Sequence, residues 1–145
     1  MVSKSTKKTG ESKSLLGKRK RRFAKLLKSR DLIGSQEVIW IVDDIGDQIP
    51  IKARIDTGAT HSSLCISVAR RLRLKSIPWE SMRLRNAHGS SERPVYWLNF
   101  ILGSKRIKTK VSVIERRHLQ CDMIVGRRNL GSFIVDPSRK FLIDK

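Results

Sequence analysis

Ile49-Pro50-Ile51-Lys52-Ala53-Arg54-Ile55-Asp56-Thr57-Gly58-Ala59-Thr60-His61-Ser62-Ser63-Leu64 is the stretch that decides the fold. Apolar residues at 49, 51, 53 and 55 alternate with Pro50, Lys52 and Arg54, the period of a half-buried strand. That strand runs straight into one carboxylate, a small hydroxyl residue and a glycine. Gly58 is expected to let the backbone turn sharply and approach a neighbour closely. Thr57 and Thr60 are expected to lock the turn by bonding their hydroxyls to backbone. An acid carried on such a turn is placed more rigidly than one on a mobile loop, which is what a catalytic carboxylate needs. Taken alone, Asp-Thr-Gly favours an ordinary turn between two strands, by roughly two to one.

Working outward, residues 38–42 read as a buried strand and residues 43–48, with Gly46, as a turn. A hairpin would thus deliver Asp56. Downstream, Ser67 is the expected N-cap of a short helix that ends near residues 74–75. Pro78 interrupts. Residues 82–101 read as a second hairpin with its tip near Gly89, because 86–91 is a cluster of turn formers. A strand follows over 107–113, then a short apolar run ending at Gly126 and a single helical turn at 127–130. Residues 133–135 and 141–143 flank a turn at 136–139. Short strands at this spacing predict an all-β barrel or sandwich with one or two short helices.

The chain has 145 residues, enough for one domain with a core, and a net charge of +19. The first thirty residues hold twelve Lys/Arg and one acid, so over half the excess lies in a fifth of the chain. Residues 1–33 therefore read as a basic tail, disordered in isolation, and 34–145 as the folded domain. Phe23, Leu26 and Leu27 fall at helical spacing, so 15–28 could become a basic amphipathic helix on a partner. Nucleic acid, a ribosomal surface and an anionic membrane all suit it. An organelle transit peptide has a similar composition. The tail is expected to be dispensable for the fold, with a chain cut near Leu32 keeping its thermal transition. No apolar run approaches the roughly 20 residues of a membrane span. The start lacks the apolar segment of a secretory signal, and Cys65 and Cys121 make no disulfide framework, so a cytoplasmic location is expected.

With those elements in place, residues 56–62 followed by 67–74 resemble retropepsin-like aspartic proteases. In that family an Asp-Thr/Ser-Gly-Ala turn is followed by a flap-like hairpin, and two apolar residues and a glycine precede a short helix near the C-terminus. Ile124, Val125, Gly126 and Arg127 resemble that last element, and Ala87, His88, Gly89 and Ser90 occupy the place of the flap tip. Three stretches (51–59, 92–95, and 125–127 through 135–138) are similar to a bacterial group labelled "ATP-dependent zinc protease". That group is often associated with an ATP-grasp ligase that adds glutamate to a ribosomal protein. The resemblance covers about 34–145 and not the tail.

It implies a retropepsin-like acid protease barrel with Asp56 as the catalytic acid, supported by Thr57, Gly58, Ala59 and Thr60. Aspartic proteolysis needs two carboxylates sharing one proton. Only one Asp-Thr-Gly is encoded, so a homodimer would bring two copies of Asp56 face to face, with Thr57 bracing the pair and the substrate peptide lying extended beneath the flap. By the same resemblance, Ala59, offering no hydroxyl, implies activity reaching toward mildly acidic or neutral pH. Asp136 reads as a turn former. No cofactor is expected. The candidate zinc ligands His61, Cys65, His88, His118 and Cys121 match no zinc signature, there is no His-Glu-x-x-His, and no phosphate loop is present. Cys65 and Cys121 read as small core residues. Two other readings stay open: a non-catalytic module that binds ribosome or nucleic acid through its tail, and a zinc-dependent peptidase.

Overall fold

The computed structural model describes residues 8–115 and 120–143. His118 lies outside them. Strand β2, Gln36–Val42, pairs antiparallel with β3, Gln48–Asp56, in the expected hairpin. Its turn is closed by the Asp43 carboxylate, which accepts the N–H groups of Ile45 and Asp47 at 3.1 and 2.8 Å. Along β3, Ile51, Ala53 and Ile55 are buried while Lys52 and Arg54 face solvent, so the period-two pattern sets which face enters the core.

The remaining strands are β4 (Ser63–Cys65), β5 (Ser76–Asn86), β6 (Gly89–Leu102), β7 (Lys105–Ile114) and β8 (Met123–Gly126). The sheet order is β2-β3-β8-β4-β7-β6-β5, and β2 also pairs with β6. Six strands thereby close on themselves, and β5 extends beyond β6 as the outer arm of a hairpin. The fold is the expected all-β barrel. Ile39, Ile41, Leu64, Leu98, Phe100, Leu102, Val111, Met123 and Val125 fill its interior with at most 2% of their surface exposed. Each such side chain contributes about 1.5–3 kcal/mol by leaving water.

Local details depart from the sequence reading. The short helix α2, Ile66–Arg71, begins directly after β4 with Cys65 at its N-cap, not Ser67. Strand pairing runs as far as Cys65, so the helix starts two residues earlier than the hydroxyl suggested; Ser67 Oγ lies 3.1 Å from Cys65 Sγ instead. Pro78 does not separate elements but sits within β5, at an irregularity between Ser76 and Ser81 that leaves Trp79 fully exposed at φ 62°. The tail forms one helix, α1, Lys8–Lys28, longer than the stretch expected to become helical on a partner. Leu, Lys, Arg and Ala favour helix locally. From Ser14 to Lys28 every residue but Gly17 is exposed, so α1 adds no burial to the domain.

The domain begins before the expected boundary. Strand β1, Asp31–Ile33, pairs parallel with β9, Phe133–Val135, and Ile33 is fully buried. A cut near Leu32 would split β1, and the boundary belongs before Asp31. Residues 141–143 join no strand. The buried Glu37 carboxylate instead accepts the N–H groups of Gly34, Leu142 and Ile143 at 2.6, 3.0 and 3.3 Å, fastening the C-terminal segment to the barrel. Glu37→Ala leaves these donors unpaired in a dry site. It is expected to lower unfolding stability by about 3 kcal/mol, read from urea unfolding; a change under about 0.5 kcal/mol, the scale of neutral surface substitutions, would remove the clamp from the account.

Candidate active site

Asp56 is the last residue of β3 and lies opposite Gly126, the last residue of β8. The hydroxyl lock expected from Thr57 and Thr60 is not what holds the turn. The Asp56 carboxylate does so itself, with Oδ1 accepting the N–H groups of Gly58 and Ala59 at 2.9 and 3.2 Å. Among the described residues no hydrogen bond reaches Oδ2, so one oxygen is committed to the turn and the other is available for chemistry. Gly58 is not in the left-handed region; a Cβ there would come 3.2 Å from Asp56 Oδ1, so its use is to let the carboxylate close over the backbone.

The β8 element braces the turn from behind. The backbone N–H groups of Arg127 and Arg128 donate to the carbonyls of Ala59 and Thr60 at 2.7 and 3.2 Å. The Arg127 guanidinium reaches the Thr57 carbonyl at 3.3 Å and Thr60 Oγ1 at 3.4 Å. Two residues the sequence reading missed complete the brace. Buried Ser62 accepts the Gly126 N–H at 3.0 Å and donates to Asn129 Oδ1 at 2.6 Å. Their sequence signal was slight, the first of two serines after the turn and an asparagine three residues beyond the glycine. Residues 124–127 meet the turn at 56–62: Val125 is buried, Ile124 faces the cleft, and Gly126 and Arg127 contact the turn.

A cleft of about 570 Å3 opens between the turn and the β5–β6 hairpin, bounded by Gly58, Ala59, Thr60 and His61 on one side and by Arg83, Leu84, Arg85, Asn86 and Arg93 on the other. The hairpin arms form this wall. The expected tip residues Ala87, His88, Gly89 and Ser90 lie beyond it, with the Asn86 side chain accepting the His88 N–H at 3.0 Å and Gly89 at φ 126°. Among the described residues that border this space none is an acid; Asp56 opens the turn whose residues 58–61 form one side of it.

The remaining titratable groups fit structural roles. His61 is held toward its neutral form by burial and then by the nearby Arg128 charge. Burial pushes the Cys121 thiol up, and Cys65 and Cys121 are both buried and unlinked. Hydrogen bonds from Ser138 hold the Asp136 carboxyl below its ordinary value, as a turn former. Among the described residues no three His, Cys, Asp or Glu side chains converge as metal ligands would.

An acid on a strand end, seated against a glycine of a neighbouring parallel strand and overhung by a hairpin, points to one family. Residues 42–128 match the model described as aspartyl protease. The chain belongs to the aspartyl protease family. Among solved structures, this chain is similar to protein Lpg0085 of Legionella pneumophila, of unknown function. The two are 22% identical over 79% of this chain and 98% of that one, with a TM-score of 0.54. It is likewise similar to the EIAV protease in complex with the inhibitor HBY-793, at 22% identity, 66% and 83% coverage and a TM-score of 0.51. At these identities the likeness shows the retropepsin-like fold. No curated protein sequence matches.

The walls of the cleft are cationic. Arg83 is paired with Glu92 at 3.1 Å, but no carboxylate among the described residues pairs with Arg85 or Arg93. An adjoining hollow, which also borders His61, carries Lys108, Lys110 and Arg128 around Trp97. Both lysine ammonium groups lie over the Trp97 ring, at 5.3 and 5.2 Å from its centre.

Proposed function

We propose that this protein is an aspartic endopeptidase in which Asp56 from each of two copies activates water, and that it acts on extended acidic peptides. The observation that carries the first part is the Asp56 carboxylate, fixed by two backbone N–H groups on a braced turn beneath a hairpin. A carboxylate so placed can share a proton with a second one, take a proton from water and give one to the scissile carbonyl oxygen. With a single Asp-Thr-Gly in the sequence and no other acid bordering the cleft among the described residues, a two-fold dimer would supply the second carboxylate. The substrate would lie as an added strand between hairpin and turn. The grouping with bacterial proteins labelled "ATP-dependent zinc protease" rests on the sequence resemblance; no step of this mechanism uses zinc or ATP.

Arg85 and Arg93 support the second part. Unpaired cations in a cleft wall favour a substrate carboxylate and repel a basic one. The test compares extended glutamate-rich and lysine-rich peptides, each flanking one apolar cleavage position. The parent is expected to cleave the acidic peptide in preference. Arg85→Glu with Arg93→Glu is expected to reduce kcat/KM on it by about a hundredfold and to leave a neutral peptide little changed. Equal losses on both peptides would remove the acidic preference. Binding of the acidic peptide without hydrolysis by the parent would sink the enzyme reading and favour a binding module.

A further inference from the structure

We infer that α1 is an amphipathic anchor that lays the protein on an anionic lipid surface. Leu15 and Leu26 are eleven residues apart, and Leu16, Phe23 and Leu27 are seven and eleven apart. At 3.6 residues per turn these five share a stripe covering about a third of the helix circumference. All five are between 42 and 63% exposed, so the domain covers none of them. Seven cations and no acid occupy residues 14–28. Lys20 and Arg22 fall at the two edges of the stripe, and Lys18, Arg21, Lys25 and Lys28 on the face behind it. Arg19 falls within the stripe, where its long stem can lie along apolar surface while the guanidinium reaches outward.

Charge and apolarity together choose the occupant. The cations call for an anionic partner, and the stripe calls for an apolar one. A nucleic acid satisfies the first through its phosphates but gives the leucines nothing to bury against. A second copy satisfies the second but brings an equally cationic helix alongside. A bilayer with acidic headgroups satisfies both: the stripe sinks to the acyl boundary while the flanking cations stay among the headgroups. No described helix is long and apolar enough to cross the membrane, so the helix would lie in the surface plane. The helix ends with Ser29 Oγ donating to the Leu26 carbonyl at 3.0 Å, and β1 begins at Asp31. With so short a link, the barrel would sit directly against the surface.

The test uses the full chain with phosphatidylcholine vesicles, with and without phosphatidylglycerol, followed by co-sedimentation. Binding is expected only to the anionic vesicles and is expected to weaken with salt. Substituting Phe23→Ser, Leu26→Ser and Leu27→Ser together keeps every charge. It is expected to weaken vesicle binding about tenfold or more, since each removes a buried apolar group. Binding to single-stranded RNA is expected to stay unchanged, and the thermal transition of the barrel serves as the folding control. Vesicle binding equal in parent and triple variant would overturn the inference, as would RNA binding with no vesicle binding by the parent.

Discussion

Asp56→Asn is expected to leave the barrel folded and to reduce peptide hydrolysis by on the order of 10³ or more, the scale seen when an essential catalytic group is removed. The fold should survive because asparagine retains a carbonyl oxygen where Oδ1 accepts the N–H groups of Gly58 and Ala59. What it loses is the acid that titrates. The consequence for mixtures is sharper. A dimer of one parent chain and one Asp56→Asn chain has a single carboxylate to serve as both acid and base. With equal, freely exchanging chains, about a quarter of the dimers carry aspartate on both sides, so activity should fall to about that fraction. A fall only to half would show that each chain works alone. Hydrolysis persisting in pure Asp56→Asn protein would place the catalyst elsewhere and restore the metal-dependent alternative.

Much of this site is legible in the sequence because it is local. The alternation through β3 fixes which residues are buried, and a strand end fixes where Asp56 emerges. The β8 element was legible by resemblance, although its contact with the turn spans about seventy residues. What escaped was chemistry that depends on tertiary neighbours. Glu37 looks in sequence like any polar residue of a half-buried strand; its burial makes sense only once residues 34, 142 and 143 arrive with three N–H groups. Ser62 and Asn129 look ordinary until folding sets them 2.6 Å apart. Arg85 alternates with apolar residues and Arg93 follows Glu92, as surface arginines do, and their importance comes from the cleft they border. Ser67 misled because N-cap preference is weak beside strand pairing that runs to Cys65.

The glycines divide in the same way, and Gly126 carries the second large effect. Its φ of −85° suits any residue, so conformational freedom is not why glycine stands there. Space is the reason. A Cβ at Gly126 would come 2.5 Å from both the carbonyl carbon and the oxygen of His61, which are backbone atoms that no rotamer change can move aside. Either β8 or the turn at 56–62 must shift. Both options act on the same machinery, because Gly126 is paired with Asp56 and its N–H is held by Ser62. Gly126→Ala is therefore expected to cost about 1–3 kcal/mol of stability, as overpacking of a filled interior does. It is also expected to lower peptide hydrolysis by about 10², the penalty for displacing a catalytic group by about 1 Å. Gly58→Ala is the internal comparison. Its added Cβ meets only the Asp56 side-chain oxygen at 3.2 Å, so it should disturb the carboxylate while sparing the fold. Urea unfolding and kcat/KM measured side by side separate the two variants. Gly126→Ala with parental stability and parental activity would show that the β8 glycine does not set the position of Asp56.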